Sequence, residues 1–175
     1  MIKHLCGDYC YNTLMLGSEK DLQLRLTLRN QSLLLRKPED LLDYYIMICE
    51  RESDNHSIGI GFYSTSLGTS PTIVTDPSGI IYISNGVTLS AVDLKKPKIR
   101  FEYQTSSRVY LYKIFSKTIL LVEKRHIELI SLDGKRLNQI STKETIEFYR
   151  FWQGNLWYRT DSKDGMINLK EFGVE

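Results

Sequence analysis

The sequence predicts an all-β fold, and three observations support this prediction. Aromatic residues are frequent, with 11 Tyr, 6 Phe and 2 Trp, and many stand beside Ile, Leu or Val. Residues of these types suit the pleated, half-buried surface of a strand. The apolar runs are short, and turn sequences that contain Gly, Asp or Asn separate them. Short strands joined by tight turns therefore account for the chain better than helices do.

The predicted strands follow one another along the whole chain, and several alternate between apolar and polar residues. Between residues 22 and 28 every second residue is Leu, which is the period-two pattern of a strand with one buried face. Ile99, Phe101 and Tyr103 repeat this pattern. The predicted strands are residues 13–16, 22–28, 32–35, 44–49, 58–63, 72–75, 80–84, 87–94, 99–103, 109–115, 119–122, 127–132, 137–140, 146–152, 156–159 and 166–172.

The segments between the strands carry turn chemistry. Asn85-Gly86 and Asp133-Gly134 supply the positive φ angles that tight hairpins need. Residues 37–43 predict a single helical turn, because Pro38 stands at a suitable first position and acidic residues follow it. Residues 64–70 are rich in Ser, Thr and Gly and are interpreted as a loop. No linker divides the chain, so residues 1–175 are predicted to form a single all-β domain.

The composition is that of a globular protein, with 42% hydrophobic and 25% charged residues. The net charge is only +2 and no block of like charges occurs, so neither a nucleic-acid nor a membrane partner is expected. No run approaches the roughly 20 apolar residues that cross a bilayer. The three Cys residues form no closed set of pairs, and no signal peptide is evident. We therefore expect a reduced, cytoplasmic chain.

A repeat of 37–40 residues runs through the second half of the chain. Residues 80–93 align with residues 120–133 at an offset of 40, so that apolar residues match and Asp93 meets Asp133. Residues 112–115 align with residues 149–152 at an offset of 37. Residues 44–63 read as a looser copy. Each repeat has room for up to four short strands.

This pattern resembles the blades of a β-propeller, whose repeats of roughly 40–50 residues each hold four strands. The resemblance covers about residues 72–172. It implies antiparallel meanders in blade-like repeats, as in a small or partial β-propeller. The Gly-His and Trp-Asp signatures of named propeller families do not occur in this sequence. A β-sandwich of hairpins is the alternative, because short strands at regular spacing describe both folds.

No catalytic or metal-binding motif stands out in the sequence. It contains no Gly-x-Ser-x-Gly elbow, Walker loop or HExxH sequence. His4, Cys6 and Cys10 lie close together, but no second pair of ligands follows to complete a four-ligand zinc site. His56 and His126 have no evident orienting partner for general base catalysis. We expect no enzyme activity, no metal and no cofactor.

The charged hairpin tip at residues 123–126 is interpreted as a turn rather than a reactive site. Asn85-Gly86 occupies the matching place in the preceding repeat, so the position requires only a turn. Glu123, Lys124 and Arg125 are therefore expected to be solvated.

Two groups of residues are candidates for binding another protein. Glu50, Glu52 and Asp54 form an acidic stretch in a polar loop. Trp152 and Trp157 flank a predicted turn, and Trp is enriched at protein interfaces. For the two Trp residues burial in the core is the favoured interpretation, and an exposed binding surface is the alternative.

The function expected from these features is that of a non-enzymatic protein-binding module. In size and style the chain resembles bacterial immunity proteins, which bind and block a cognate toxin. That resemblance implies a toxin as the partner. For a nuclease toxin, it implies that Glu50, Glu52 and Asp54 would stand in for substrate phosphates. The alternative is a propeller-type scaffold that binds a small ligand or peptide, or that self-associates through an open strand edge.

Overall fold

A computed structural model describes residues 4–38, 41–65 and 71–174. Strands predominate over helices within them, so the prediction of an all-β fold with antiparallel, blade-like sheets is confirmed. The chain divides into two compact units, residues 1–102 and 103–175. The single domain remains a prediction. Neither described helix is long and apolar enough to span a bilayer.

The first unit contains one helix and two sheets. The helix is α1 (Glu19–Thr27), and the strands are β1 (His4–Cys6), β2 (Tyr9–Leu16), β3 (Gln31–Leu34), β4 (Leu41–Arg51), β5 (His56–Thr65), β6 (Thr72–Asp76), β7 (Ile80–Ser84), β8 (Thr88–Asp93) and β9 (Lys98–Gln104). One sheet has the order β1-β2-β4-β5-β3 and the other the order β6-β7-β8-β9. The last two residues of β9 fall in the second unit.

Helix α1 shows that the strand predicted at residues 22–28 is wrong. Ser18 caps the helix, because its Oγ accepts a hydrogen bond from the backbone N–H of Asp21 at 3.1 Å. Leu22 and Leu26, one helical turn apart, are buried. The Leu side chains that remain exposed are Leu24 and Leu28. Leu, Gln, Arg and Lys are good helix formers, and no residue from 19 to 26 is β-branched. The helix cap and these helix propensities therefore outweigh the alternation of apolar and polar residues.

Replacing Ser18 with Ala should remove this cap. We expect a loss of about 1 kcal/mol in the free energy of unfolding, because a backbone N–H of the first turn loses its acceptor. Ser18→Asn retains a side-chain oxygen at the cap and should stay close to the wild type. Urea unfolding of the three proteins measures the difference, and equal midpoints for Ser18→Ala and wild type would contradict the assignment.

Strand β3 is the one parallel neighbour among the strand pairs that the structure describes, since it pairs with β5 from Gln31↔Ile58 to Leu34↔Gly61. A parallel arrangement needs a crossover, and the segment that contains α1 connects β2 to β3. Helix α1 packs on the five-stranded sheet at a position where the sheet carries a glycine. A Cβ on Gly61 would lie 3.1 Å from the Leu22 Cδ1 and Leu26 Cδ1 atoms, so the glycine makes room for the helix.

Two further predictions concern the connections. The helical turn predicted at residues 37–43 is wrong where the structure describes it, because Lys37 and Pro38 are irregular and residues 41–43 belong to β4; residues 39 and 40 lie outside the described residues. The aromatic and apolar run that follows Asp43 favours a long strand over a helix. Of the loop predicted at residues 64–70, residues 64 and 65 belong to β5 and the rest lie outside the described residues.

The second unit contains two sheets and a short helix. Its elements are β10 (Val109–Ile114), β11 (Thr118–Glu123), β12 (His126–Ser131), β13 (Arg136–Ser141), β14 (Phe148–Trp152), β15 (Asn155–Arg159), β16 (Asp164–Asn168) and α2 (Leu169–Phe172). One sheet has the order β10-β11-β12-β13 and the other the order β14-β15-β16. Their buried faces share one core, to which Leu129, Leu156 and Phe172 belong.

The repeat predicted from the sequence coincides with the sheets. The aligned segments 80–93 and 120–133 are the central hairpins β7–β8 and β11–β12 of the two four-stranded meanders. Residues 112–115 and 149–152 fall on β10 and β14, which begin their sheets. The looser copy at residues 44–63 is the β4–β5 hairpin, which belongs to the sheet with the parallel strand.

Candidate functional site

The sheet β14-β15-β16 has one face that is rich in exposed aromatic and apolar side chains. Strand pairing aligns Phe148 with Arg159, Arg150 with Trp157, and Trp157 with Met166. Exposure alternates along the strands, which separates this face from the buried one. We call it the aromatic face, and its residues are Phe148, Arg150, Trp152, Asn155, Trp157, Arg159, Asp164, Met166 and Asn168.

Both predicted Trp residues lie on the aromatic face. Trp152 is 54% exposed and Trp157 is 37% exposed, so the interpretation that both are buried in the core is wrong. Phe148 and Met166 are each 53% exposed beside them. Soluble proteins rarely leave several large apolar side chains adjacent on one surface without a use for them.

Two arginines give the aromatic face its charge. The guanidinium of Arg150 lies 5.8 Å from the centre of the Trp152 ring, within the range of a cation–π contact. Arg159 pairs with Asp164, because its Nε donates to Oδ1 at 2.7 Å. Within the described part of the chain Arg150 has no carboxylate partner. The face therefore offers a flat apolar platform with one guanidinium available to an external carboxylate.

The acidic candidates lie in the first unit, at the hairpin between β4 and β5. Glu50, Glu52 and Asp54 are all exposed. Asp54 is held within the hairpin, since Arg51 donates to both of its oxygens at 2.9 and 2.5 Å. These bonds hold the pKa of Asp54 well below its usual value, at about 2. Glu52 accepts a weak hydrogen bond from the Cys10 thiol at 3.6 Å.

A second cluster, which the sequence did not reveal, is a pair of buried carboxyl groups in the second unit. Glu123 and Glu128 are 0% and 1% exposed, so the prediction that Glu123 is solvated is wrong, although Lys124 and Arg125 are exposed as predicted. The register pairs Leu121 with Glu128 across β11 and β12. Glu123 stands two residues further along β11, which places it diagonally opposite Glu128 on the same face.

In each carboxyl group of this pair, one oxygen accepts a hydrogen bond and the other oxygen has no hydrogen-bond donor. The backbone N–H of Ser107 donates to Glu123 Oε2 at 2.7 Å, and the Tyr103 hydroxyl donates to Glu128 Oε2 at 2.6 Å. The Oε1 atoms of both glutamates are buried and have no hydrogen-bond partner. Arg136 approaches Glu128 Oε1 at 3.8 Å. A proton held between the two carboxyl groups would satisfy both Oε1 atoms.

The environment of the pair raises the pKa of Glu123 to about 7. Burial is the largest cause, and the charge of Glu128 and a side-chain hydrogen bond to it also act upward, whereas the Ser107 donors act downward. Burial and the hydrogen bond to Glu128 raise the pKa of the Tyr103 hydroxyl as well. Both carboxyl groups are closed to solvent, so their protonation bears on the stability of the fold.

A shallow pocket of about 430 Å³ lies in the first unit, between the turn after β1 and the end of β6. Its lining includes Cys6, Asp8 and Asp76. Burial raises the pKa of the Cys6 thiol to about 11, so this thiol is a poor nucleophile at neutral pH. The described residues hold no group of three or more metal-ligating side chains.

Comparison with known proteins identifies the fold but no family. No family model and no curated protein matches the chain. The chain resembles the solved hydrazine synthase of Kuenenia stuttgartiensis with a TM-score of 0.50 and 12% identity, over 82% of this chain and 47% of that one. It also resembles Hsv2 of Kluyvelomyces marxianus (TM-score 0.47, 12% identity, 73% and 45% covered) and the AfRom2 CNH domain (0.46, 9%, 79% and 48%).

The class of fold follows from this comparison together with the sheets. The hydrazine synthase structure has a propeller-type fold, and the blade-like repeats of this chain agree with it, which favours the propeller-like interpretation over the sandwich. The chain spans about half the length of the solved structures that it matches.

Only Trp152 and Trp157 of the aromatic face are predicted from the sequence, and the large side chains that the prediction omits are Phe148, Arg150 and Met166. Phe148, Arg150 and Met166 join the two Trp residues because strand alternation and register place them together. The run from 148 to 152 and the run from 155 to 159 each alternate in exposure. A period-two reading of both runs carries the signal that identifies Phe148 and Arg150.

Proposed function

We propose that this chain is a non-enzymatic protein-binding module, and that the aromatic face is its binding surface. The observation that carries the proposal is the exposure of both Trp152 and Trp157 on the same face of one sheet. Trp, Tyr and Arg dominate the energetics of protein interfaces. Because Arg150 lacks a carboxylate partner among the described residues, the surface suits a partner protein that presents an apolar patch with an Asp or Glu side chain.

Truncation of both Trp residues tests this proposal. A central Trp costs about 2 kcal/mol or more when truncated, which is a loss of roughly 30-fold in affinity. The Trp152→Ala/Trp157→Ala variant and the wild type are immobilised and exposed to an extract of the source cells. Proteins retained by the wild type are purified and titrated against both proteins. We expect binding to weaken by at least that factor in the variant, and equal affinities would contradict the proposal.

A more specific form of this proposal names a toxin as the partner. In that form the toxin binds the acidic hairpin, the β4–β5 turn that carries Glu50, Glu52 and Asp54. This form is supported by the resemblance in size and style to immunity proteins and by the exposure of Glu50 and Glu52. A Glu50→Lys/Glu52→Lys variant serves both as the control for the Trp variant and as the test of this version. Loss of binding in the Lys variant alone would favour the acidic hairpin, and loss in the Trp variant alone favours the aromatic face.

A further inference from the structure

The sheet that ends with strand β16 has one strand fewer than the two four-stranded meanders. The sheets that contain β6–β9 and β10–β13 have four strands each, whereas β16 is the third and last strand of its sheet. Within the described residues β16 pairs only with β15. The backbone N–H and C=O groups on its other edge therefore lack a strand partner, and such an edge is a template for pairing with another chain.

The edge carries few of the features that prevent pairing. Proteins protect open edges with Pro, with Lys or with a bulge. Strand β16 reads Asp164-Gly165-Met166-Ile167-Asn168, which contains neither Pro nor Lys, and its register with β15 runs without a shift. Its one charged residue, Asp164, is already neutralised by Arg159.

The sequence of β16 is complementary to itself when two copies run antiparallel about Met166. Asp164 of one copy then lies opposite Asn168 of the other, Gly165 lies opposite Ile167, and Met166 lies opposite Met166. No like charges oppose each other in this register. A shift by two residues would place Asp164 opposite Met166, and a shift by four would pair it with a second Asp164, so the register about Met166 is the favourable one.

The side chains on the aromatic face favour the same arrangement. Residues 164, 166 and 168 project onto that face, and Met166 is 53% exposed there beside Trp157. Pairing about the two-fold axis brings the two Met166 side chains together between the two Trp157 side chains. Apolar area that is exposed in one copy is then buried, in addition to the backbone hydrogen bonds that form.

We infer that the chain forms a two-fold dimer, in which β16 of one copy pairs antiparallel with β16 of a second copy to make a continuous six-stranded sheet. This inference goes beyond the proposed function, because it uses the edge of the sheet and leaves most of the aromatic face open. It also widens the platform, from about 10 Å across three strands to about 24 Å across six.

Sedimentation equilibrium tests the dimer between about 1 and 100 µM protein. We expect the wild type to reach twice the chain mass of 20.4 kDa at the upper end of this range. Met166→Lys places two ammonium groups opposite each other and should raise the dissociation constant at least about tenfold. Phe148→Lys introduces the same charge on β14, two strands from the edge, and should leave the dimer intact. Met166→Leu keeps an apolar side chain at the edge and should also leave it intact. A monomer at every concentration, or a dimer insensitive to Met166→Lys, overturns the inference.

Disulfide trapping tests the register separately. In a Cys10→Ser background, which removes the half-buried native thiol, Asp164→Cys and Asn168→Cys proteins are mixed and oxidised with diamide. We expect the mixed disulfide between the two variants to form faster than either self-linked dimer, whereas Met166→Cys should link to itself. Preferential self-linking of Asp164→Cys would overturn the register.

Discussion

Replacing Glu123 with Gln is expected to remove most of the pH dependence of stability between pH 5 and pH 8. The pKa of this carboxyl group is 4.5 in an ordinary environment, and burial raises it to about 7 in the fold. Between these values the folded state holds more protons than the unfolded state, so the free energy of unfolding falls as the pH rises. The stabilisation is complete below pH 4.5 and is lost as the pH rises through 7.

The size of this effect follows from the pKa shift. A rise from 4.5 to about 7 corresponds to about 3 kcal/mol, because each pKa unit is worth 1.36 kcal/mol. Gln keeps the shape of the protonated carboxyl and cannot ionise. We therefore expect Glu123→Gln to match the wild type near pH 5 and to exceed it by up to that amount at pH 8.

Denaturant unfolding at several pH values measures this difference. The same substitution at the exposed Glu171 of α2 is the control, and it should keep the wild-type dependence. Parallel curves for the wild type and Glu123→Gln would show that the two buried carboxyl groups do not share a proton.

Replacing Leu22 with Ala is expected to cost about 3 kcal/mol in the free energy of unfolding, whereas Leu24→Ala should cost less than about 0.5 kcal/mol. Leu22 is 0% exposed and packs with Leu26, Ile46 and Tyr63, so truncation leaves a cavity. Leu24 is 60% exposed. A strand at residues 22–28 would place both Leu side chains on one face and would predict similar losses.

Chemical denaturation of the two variants measures this contrast. Leu26→Ala should resemble Leu22→Ala, and Leu28→Ala should resemble Leu24→Ala, because the helix repeats every 3.6 residues. Equal losses at residues 22 and 24 would contradict helix α1.

The sequence predicts the meanders of the second unit well, because their information is local. Each strand there pairs with its neighbour along the chain, so apolar runs and turns such as Asp133-Gly134 suffice to define them. Helix α1 was missed because alternating Leu residues satisfy period two and also place Leu22 and Leu26 one helical turn apart. Only the packing of these residues against β4 and β5 decides between a strand and a helix.

The aromatic face and the buried pair of carboxyl groups differ in how far the sequence predicts them. Trp152 and Trp157 were recognised by residue type, but their exposure depends on which face of the sheet meets the core, and this is set by packing rather than by alternation alone. Glu123 was placed in a solvated turn because it adjoins Lys124 and Arg125. Its burial depends on the Ser107 and Tyr103 donors, which lie 16 and 25 residues from their acceptors in the chain.

The parallel strand β3 also bears on how the chain folds. Within each of the two sheets of the second unit every strand pairs with the next one along the chain, so closure of short loops is enough to form both sheets. In the first unit β2 must find β4 across the whole of α1 and β3, and β3 must then add to the far side of β5. Such non-local pairings slow folding. The hairpins at the carboxyl-terminal end of the chain therefore have a kinetic advantage over the five-stranded sheet, even though ribosomal synthesis completes that sheet first.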